Sequence, residues 1–245
     1  MKLNYLTFGL VVLLGISSCS KDEDPTPDPI TKANILGSVN LFDEGVTQID
    51  NSNMTVSIDG TTFSVSTDVN GDFELTDIPF GSYTIVYEKS GYGTFKKFDI
   101  EHKNTGSSTV IMNTPSLGQK SSTSITNLTL SSSSNFPAII SATTEPEANN
   151  ANPKYIRYFF STDPSISSEN YEYAIETFQV NNTPYNYNLS QEAIDVLGYT
   201  SGTTVYVKCY GESYYGNNYP DPSLAKDIFP NLNPNSASAV SFVVP

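Results

Sequence analysis

Apolar residues recur at every second position along much of this chain, and that period of two restricts the fold more than any other feature of the sequence. Phe63 and Val65 alternate with Thr62, Ser64 and Ser66, and Tyr83, Ile85 and Tyr87 alternate with Thr84, Val86 and Glu88. The pattern resumes over Tyr155 to Phe160, over Tyr171 to Phe178 and over Val205 to Tyr210. Successive side chains of a strand point to opposite faces, whereas a helix repeats every 3.6 residues, so these runs predict half-buried strands. Short strands separated by Gly-, Pro- and Asn-rich turns predict an all-β fold of two tandem β-sandwiches. In the last run Val205, Val207 and Cys209 share one face and Tyr206, Lys208 and Tyr210 the other, which assigns the first three to a core and makes Cys209 a buried, inert thiol. One segment departs from the pattern. Ser190 to Leu197 predicts a short helix with Ser190 as its N-cap. The Asn70-Gly71 step within Asp68 to Asp72 predicts a tight turn closing a hairpin from about Thr61 to Leu75.

Composition removes several classes of function. The chain has 245 residues with 26 acidic and 12 basic side chains, a formal net charge of −14. Such an excess disfavours nucleic acid as a partner, because replacing counterions on phosphates requires Lys and Arg. One histidine and two cysteines cannot build a Cys/His zinc cage, so neither a metal nor another cofactor is expected. Asp68, Asn70 and Asp72 alternate as in a calcium loop, but Gly71 falls fourth and Pro79 twelfth, where an EF-hand needs glycine sixth and glutamate twelfth. Turn chemistry accounts for all three. His102 lies in a polar stretch and is expected to be solvated. No Walker A loop, His-Glu-x-x-His or Gly-x-Ser-x-Gly is present, and Gly211 to Tyr215 fails the last pattern at its final position. No carboxylate pair stands out for glycoside hydrolysis. A non-enzyme is expected, with a carbohydrate-active hydrolase as the remote alternative.

The N-terminus reads as an address. Lys2 precedes the 11-residue apolar run Leu6 to Ile16, too short for a span that needs about 20 residues. Residues 1–18 therefore read as a signal peptide. The step Ile16-Ser17-Ser18-Cys19 resembles the lipobox of bacterial lipoproteins, which implies acylation of Cys19 and a membrane anchored through an N-terminal lipid. Ser20-Lys21-Asp22-Glu23-Asp24 resembles the acid-rich signal that sends some Gram-negative lipoproteins to the outer face of the outer membrane. The resemblance implies an outer-membrane protein facing the cell exterior. Residues 19–30 then form an acidic, proline-containing tether.

Two further resemblances concern the sandwiches. Leu36-Gly37-Ser38-Val39, Val56-Ser57-Ile58, Thr67 to Phe73, Asp77-Ile78-Pro79-Phe80-Gly81-Ser82-Tyr83 and Ser90-Gly91-Tyr92 together resemble the carboxypeptidase regulatory-like, transthyretin-like domain. This implies a seven-stranded accessory sandwich over residues 31–115 without transferable catalytic residues. Residues 116–124 have the Gly/Ser/Thr composition of a flexible linker. Gly202 to Gly211 with Tyr214 to Asn217 resembles the F-strand and following turn of fibronectin type III-like domains, implying an immunoglobulin-like sandwich over residues 125–245. The family's corner tyrosine falls one residue late, with Val205 in its place and Tyr206 next. The Pro- and Asn-rich stretch from Pro220 to Ser236 is long enough to be a functional loop.

Of 16 tyrosines, 12 lie between Tyr155 and Tyr219. Tyrosine combines a flat apolar face with a polar tip, which suits stacking on sugars or packing at protein interfaces. Tyr206 and Tyr210 on the outward row, with Tyr214, Tyr215 and Tyr219 beyond it, are the candidate ligand-binding residues; sheet packing explains the same enrichment. The sequence thus predicts a lipid-anchored, non-enzymatic surface protein that binds a polysaccharide or a surface protein through its second sandwich. A structural or assembly subunit, joined to neighbours through strand edges, is the alternative.

Overall fold

The computed structural model describes residues 30–245. The expected signal peptide 1–18, the acylation site Cys19 and the tether up to residue 29 lie outside the described residues. The first half carries β1 (Lys32–Ser38), β2 (Asn40–Phe42), β3 (Thr55–Ile58), β4 (Ser64–Ser66), β5 (Asp72–Pro79), β6 (Gly81–Glu88), β7 (Phe95–His102), β8 (Thr109–Val110) and β9 (Ser116–Gly118). One sheet runs β5-β1-β8, a second β4-β3-β6-β7, and β2 pairs with β9 in parallel. The inner rows meet in one core that includes Ile35, Val56, Ile58, Phe73, Leu75, Ile78, Ile85 and Tyr87. Full burial of such side chains stabilises by about 1.5–3 kcal/mol each.

Three local readings change here. The turn at Asp68 to Asp72 closes as expected, with the Asp68 carboxylate accepting from Asn70 N at 2.8 Å and Asp72 N at 2.9 Å, and Gly71 at φ 89°. It does not make a hairpin, because β4 pairs with β3 while β5 pairs with β1 in the other sheet. The turn crosses between layers, so its closing bonds lead into no ladder. Phe63 precedes β4 and is exposed, whereas Val65 packs on the core. His102, expected to be solvated, is 1% exposed. Its Nδ1 shares a hydrogen bond with Thr109 Oγ1 at 2.7 Å, and its Nε2 donates to Ile78 O at 3.0 Å, since a carbonyl oxygen can only accept. The imidazole ties β7 to β5 and β8.

The second half carries β10 (Ser124–Ser131), β11 (Ala138–Glu145), β12 (Lys154–Ser161), β13 (Tyr173–Ala174), β14 (Phe178–Val180), β15 (Tyr185–Leu189), α1 (Gln191–Val196), β16 (Thr204–Glu212), β17 (Tyr219–Asp221), β18 (Lys226–Ile228) and β19 (Val240–Val243). Strands β10-β11-β15 form one sheet and β13-β12-β16-β19 the other, with β14 also paired to β12. Their core holds Ile140, Ile156, Tyr158, Phe160, Val205, Val207 and Cys209. The inward row of β16 is thus the one its alternation predicts. Helix α1 is capped by Ser190, whose side chain accepts from Ala193 N at 3.2 Å. Among the described residues no helix is long and apolar enough to cross a membrane.

Residues 116–124 differ from the flexible linker expected from their composition. Ser116–Gly118 is β9, Leu117 belongs to the first core, and Ser121 and Thr123 are buried. Small residues are needed here because the backbones of the two halves approach closely. A Cβ on Gly118 would lie 2.5 Å from Tyr215 O.

Strand β12 is buried along nearly its whole length. Its outward row, which the sequence leaves open to solvent, is covered by a second small core of Phe159, Ile166, Tyr210 and Phe229. Phe229 and the partly buried Leu232 come from the Pro- and Asn-rich stretch after β16. That stretch carries the β17–β18 hairpin and then folds back over the sheet.

Candidate functional site

The five candidate tyrosines do not form one cluster. Tyr206 and Tyr210 stand on the outward row of β16 and pack with Phe159, and the rings of Tyr210 and Phe159 meet edge to face at 5.5 Å. Tyr215 and Tyr219 turn toward the first sandwich. Tyr215 lies 4.2 Å from the Phe42 ring, and Tyr219 lies 6.0 Å from both Phe95 and Phe98. Tyr214 is 49% exposed and the most open of the five. Its ring meets Tyr155 at 5.6 Å and Tyr215 at 4.9 Å, so Phe42, Tyr215, Tyr214 and Tyr155 form a continuous aromatic line from one sandwich to the other.

Two buried asparagines fasten this junction. Asn231 is fully buried; it donates to Gly118 O at 2.9 Å and Tyr215 O at 2.8 Å, and accepts from Gly93 N at 2.8 Å. Asn217 accepts from Gly118 N at 2.8 Å and donates to Gly118 O at 3.0 Å and to Asn231 Oδ1 at 3.1 Å. Each amide therefore bridges backbone of the first half to its own strand-end loop. Ser213 Oγ donates to Gln119 O, and Ser121 N donates to Asn231 O at 2.9 Å. These bonds hold the cleft beside them in a fixed shape.

That cleft has a volume of about 480 Å³ and lies between the β2–β3 loop and the loop leading into β12. Asp43 shapes the first wall by accepting from Gly45 N at 2.8 Å and Thr47 N at 3.1 Å. Glu44 ties this loop to the second half, since its carboxylate accepts from Ser122 N at 2.8 Å and its carbonyl from Tyr214 N at 2.9 Å. On the opposite wall Asn149 Oδ1 accepts from Ala151 N and Asn152 N, both at 3.0 Å, and Lys154 donates to Asn152 Oδ1 at 3.1 Å. Tyr155 lines the cleft and also a second one of about 260 Å³, which it shares with Tyr214, Arg157, Glu176 and Gln179. Burial, with Tyr214 and Asp43 nearby, raises the Tyr155 phenol above its ordinary pKa.

Between the clefts sits a buried ion pair. Arg157 Nε donates to Glu212 Oε2 at 2.6 Å, Nη1 to Ile175 O at 2.6 Å and Nη2 to Thr177 Oγ1 at 2.7 Å, with the guanidinium 4.5 Å over Phe229. Glu212 also borders the larger cleft, but its side chain is fully buried, with Ser213 N beside the carboxylate. Burial pushes this carboxyl up to about 7 despite the opposing pull of Arg157. Sequence reading missed the pair, although Arg157 is the only arginine in the chain and lies inside an aromatic strand. It missed the asparagines too, because no periodicity marks a buried amide in a loop. Among the described residues no group of His, Cys, Asp and Glu could hold a metal ion.

Fold and site together define a tandem β-sandwich protein with aromatic and hydroxyl-rich clefts at a rigid junction. Residues 44–122 match the family model of the CarboxypepD_reg-like domain. The match runs to Ser122, past the expected end at residue 115, because β9 and the segment after it complete the first half. A search of curated proteins finds no match. Among solved structures, a "putative carbohydrate binding protein" from Bacteroides uniformis is 15% identical, with 87% of this chain and 99% of that one covered at a TM-score of 0.32. A DUF3823 family protein from Parabacteroides merdae is 11% identical, with 87% and 100% covered at a TM-score of 0.30. A type II cohesin–X–dockerin complex from Acetivibrio cellulolyticus matches at 25% identity and a TM-score of 0.28, over 32% of this chain and 51% of that one. The chain thus spans about half the length of that last relative.

Proposed function

We propose that the protein is a lipid-anchored, non-enzymatic binding protein of the outer-membrane surface, and that it binds a glycan at the junction of its two sandwiches. The observation that carries this reading is the Tyr155–Tyr214 pair. It offers one exposed aromatic ring and borders two clefts lined by carboxylates, amides and hydroxyls. Sugars are recognised by this combination, an apolar face for the C–H side of the ring and fixed polar groups for its hydroxyls. The three-stranded sheet β10-β11-β15 against a five-stranded one, in which β13 and β14 share the edge of β12, supports an immunoglobulin-like module of the fibronectin type III kind, a fold that hosts many binding functions. The lipobox-like step at Cys19 and the acidic run after it support the location.

Retention of the mature protein on soluble polysaccharides in affinity electrophoresis tests the binding. Tyr214→Ala should abolish it with only a small fall in melting temperature, because Tyr214 is half exposed, its ring makes edge-on contacts with Tyr155 and Tyr215, and its peptide N–H bond to Glu44 is kept. Tyr215 is unsuitable for this test, since its ring packs on Phe42. Protease added to intact cells should remove the protein; protection would place it on the periplasmic side. A second reading is favoured by β19, which pairs with β16 and leaves Val243 60% exposed. Addition of a partner strand at that edge would make the protein an assembly subunit, visible as cross-linked neighbours on cells without any polysaccharide retention.

A further inference from the structure

Two strands that edge the second sandwich lie in stretches without a charged residue. Residues 121–144 and 228–245 contain no Asp, Glu, Lys, Arg or His, although 16% of the chain's residues are charged. The fold brings these stretches together: β10 ends one sheet, β19 ends the other, and β10 packs against β19, so both uncharged edges lie on the same side. An edge strand is an open template for another chain, and natural proteins blunt it with charges, prolines, bulges or a cover. Strand β10 has only a bulge between Ile125 and Asn127, at the end where Ile125 N is tied to Asn235 O at 3.2 Å. Among the described residues, the main chain of residues 126–131 makes no hydrogen bond outside the ladder with β11.

Charge and hydrogen-bonding chemistry select what covers this edge. The chain has a net charge of −14, so two copies repel wherever their acidic surfaces meet. At β10 no like charges face each other. Hydroxyls and amides both donate and accept, so the exposed row of Asn127, Thr129 and Ser131 matches a second copy of itself, which a row of carboxylates or ammoniums cannot do. The pleat sets the register, because a slip of one residue would put polar side chains against apolar ones. With Thr129 opposite Thr129 of the second copy, Asn127 meets Ser131, and Leu128 meets Leu130, whose side chain is only partly buried in a single copy. Deepening the strand-edge reading above, and independently of the glycan reading, we infer that two copies of this chain pair β10 to β10 antiparallel, joining two three-stranded sheets into one of six strands centred on Thr129. A ladder of this length is a small contact, below the roughly 1,200 Å² of total buried area that marks standard interfaces, so the dimer is a weak one.

The test uses the chain from residue 20 onward, which holds every described element and has the buried Cys209 as its one cysteine. In sedimentation equilibrium the mass should rise toward that of a dimer as the concentration approaches about 1 mM. Thr129→Lys sets like charges face to face on the two-fold axis and should weaken association at least about tenfold, although it lowers the net negative charge. Thr105→Lys makes the same change of charge in an exposed loop of the first sandwich and should not weaken association. Thr129→Cys should link the copies under mild oxidation, since opposed Cα atoms about 4.5–5.5 Å apart are within disulfide range, and Thr105→Cys should not. A dimer that survives Thr129→Lys and is not linked through Thr129→Cys is built elsewhere and overturns the inference. A monomeric mass at every concentration also overturns it. Cross-linking to a different chain on cells would then leave the strand-edge reading standing, and the absence of any cross-link would remove both.

Discussion

Asn231→Ala measures how far the two sandwiches behave as one body. The amide spans four partners: Gly93 N, Gly118 O, Tyr215 O and Asn217 Nδ2. Gly118 O keeps its bond from Asn217 Nδ2 at 3.0 Å after the substitution. Gly93 N and Tyr215 O lose the Asn231 bond, and both face a fully buried site. An unsatisfied buried group costs about 1–3 kcal/mol, so the pair amounts to about 2–6 kcal/mol, toward the lower end if a water enters the space left by the amide. Whole domains are stable by only about 5–15 kcal/mol. For a chain of this size each kcal/mol shifts the melting temperature by about 2–4 °C, so a fall of about 5–15 °C is expected. Calorimetry should show a single transition for wild type and two separated ones for the variant, because the lost bonds join the two cores and lie within neither. A variant melting within about 1 °C of wild type in one transition would refute the reasoning.

Three other outcomes follow from the same structure. Gly118→Ala brings a Cβ to 2.5 Å from the Tyr215 carbonyl, a backbone atom that cannot swing aside; a destabilisation of at least about 2 kcal/mol is expected in urea titration. Glu212 has its folded-state pKa raised to about 7 from an ordinary 4.5. A raised carboxyl contributes its stability fully below the unfolded value and loses it as pH rises through the folded one, so between about pH 4.5 and 7 the wild type should lose up to about 3 kcal/mol relative to Glu212→Gln. A flat difference between their melting profiles over that window would contradict the assignment. Cys209 is fully buried, and burial pushes its thiol well above the usual range; peptide mapping should find it unlabelled by thiol reagents in native protein and labelled in urea.

Some of the fold is local enough to be read from the residues alone. The alternation over Val205 to Tyr210 assigns the faces of β16 correctly, and Ser190 starts α1 where the capping rule puts it. Other elements obey contacts that no local pattern reports. The Asp68 turn was legible, but its connection to two different sheets was not, because turn chemistry is the same whichever strand lies beyond. His102 looked solvated since its neighbours in sequence are polar, yet Thr109 and Ile78 enclose it in space.

The candidate site divides in the same way. Tyrosine enrichment suggests one outward cluster, and the structure disperses it: of the five, Tyr214 alone is exposed, while Tyr210 and Tyr219 are nearly buried. Period two states which side chains share a face and is silent about what covers that face. The cover over β12 comes from Phe229, and the clasp from Asn217 reaches Gly93 over a separation of 124 residues. By itself the sequence determined the all-β class, the faces of β16, the short helix after Ser190 and the match to a regulatory-like sandwich. Only the tertiary structure decided that the presumed linker is a packed junction, that Tyr215 and Tyr219 pack across it while Tyr206 and Tyr210 pack on Phe159, and that Glu212 is buried against Arg157. The physical reason is that burial and hydrogen-bond satisfaction depend on pairs of residues far apart in the chain, whereas propensity and periodicity act only between near neighbours.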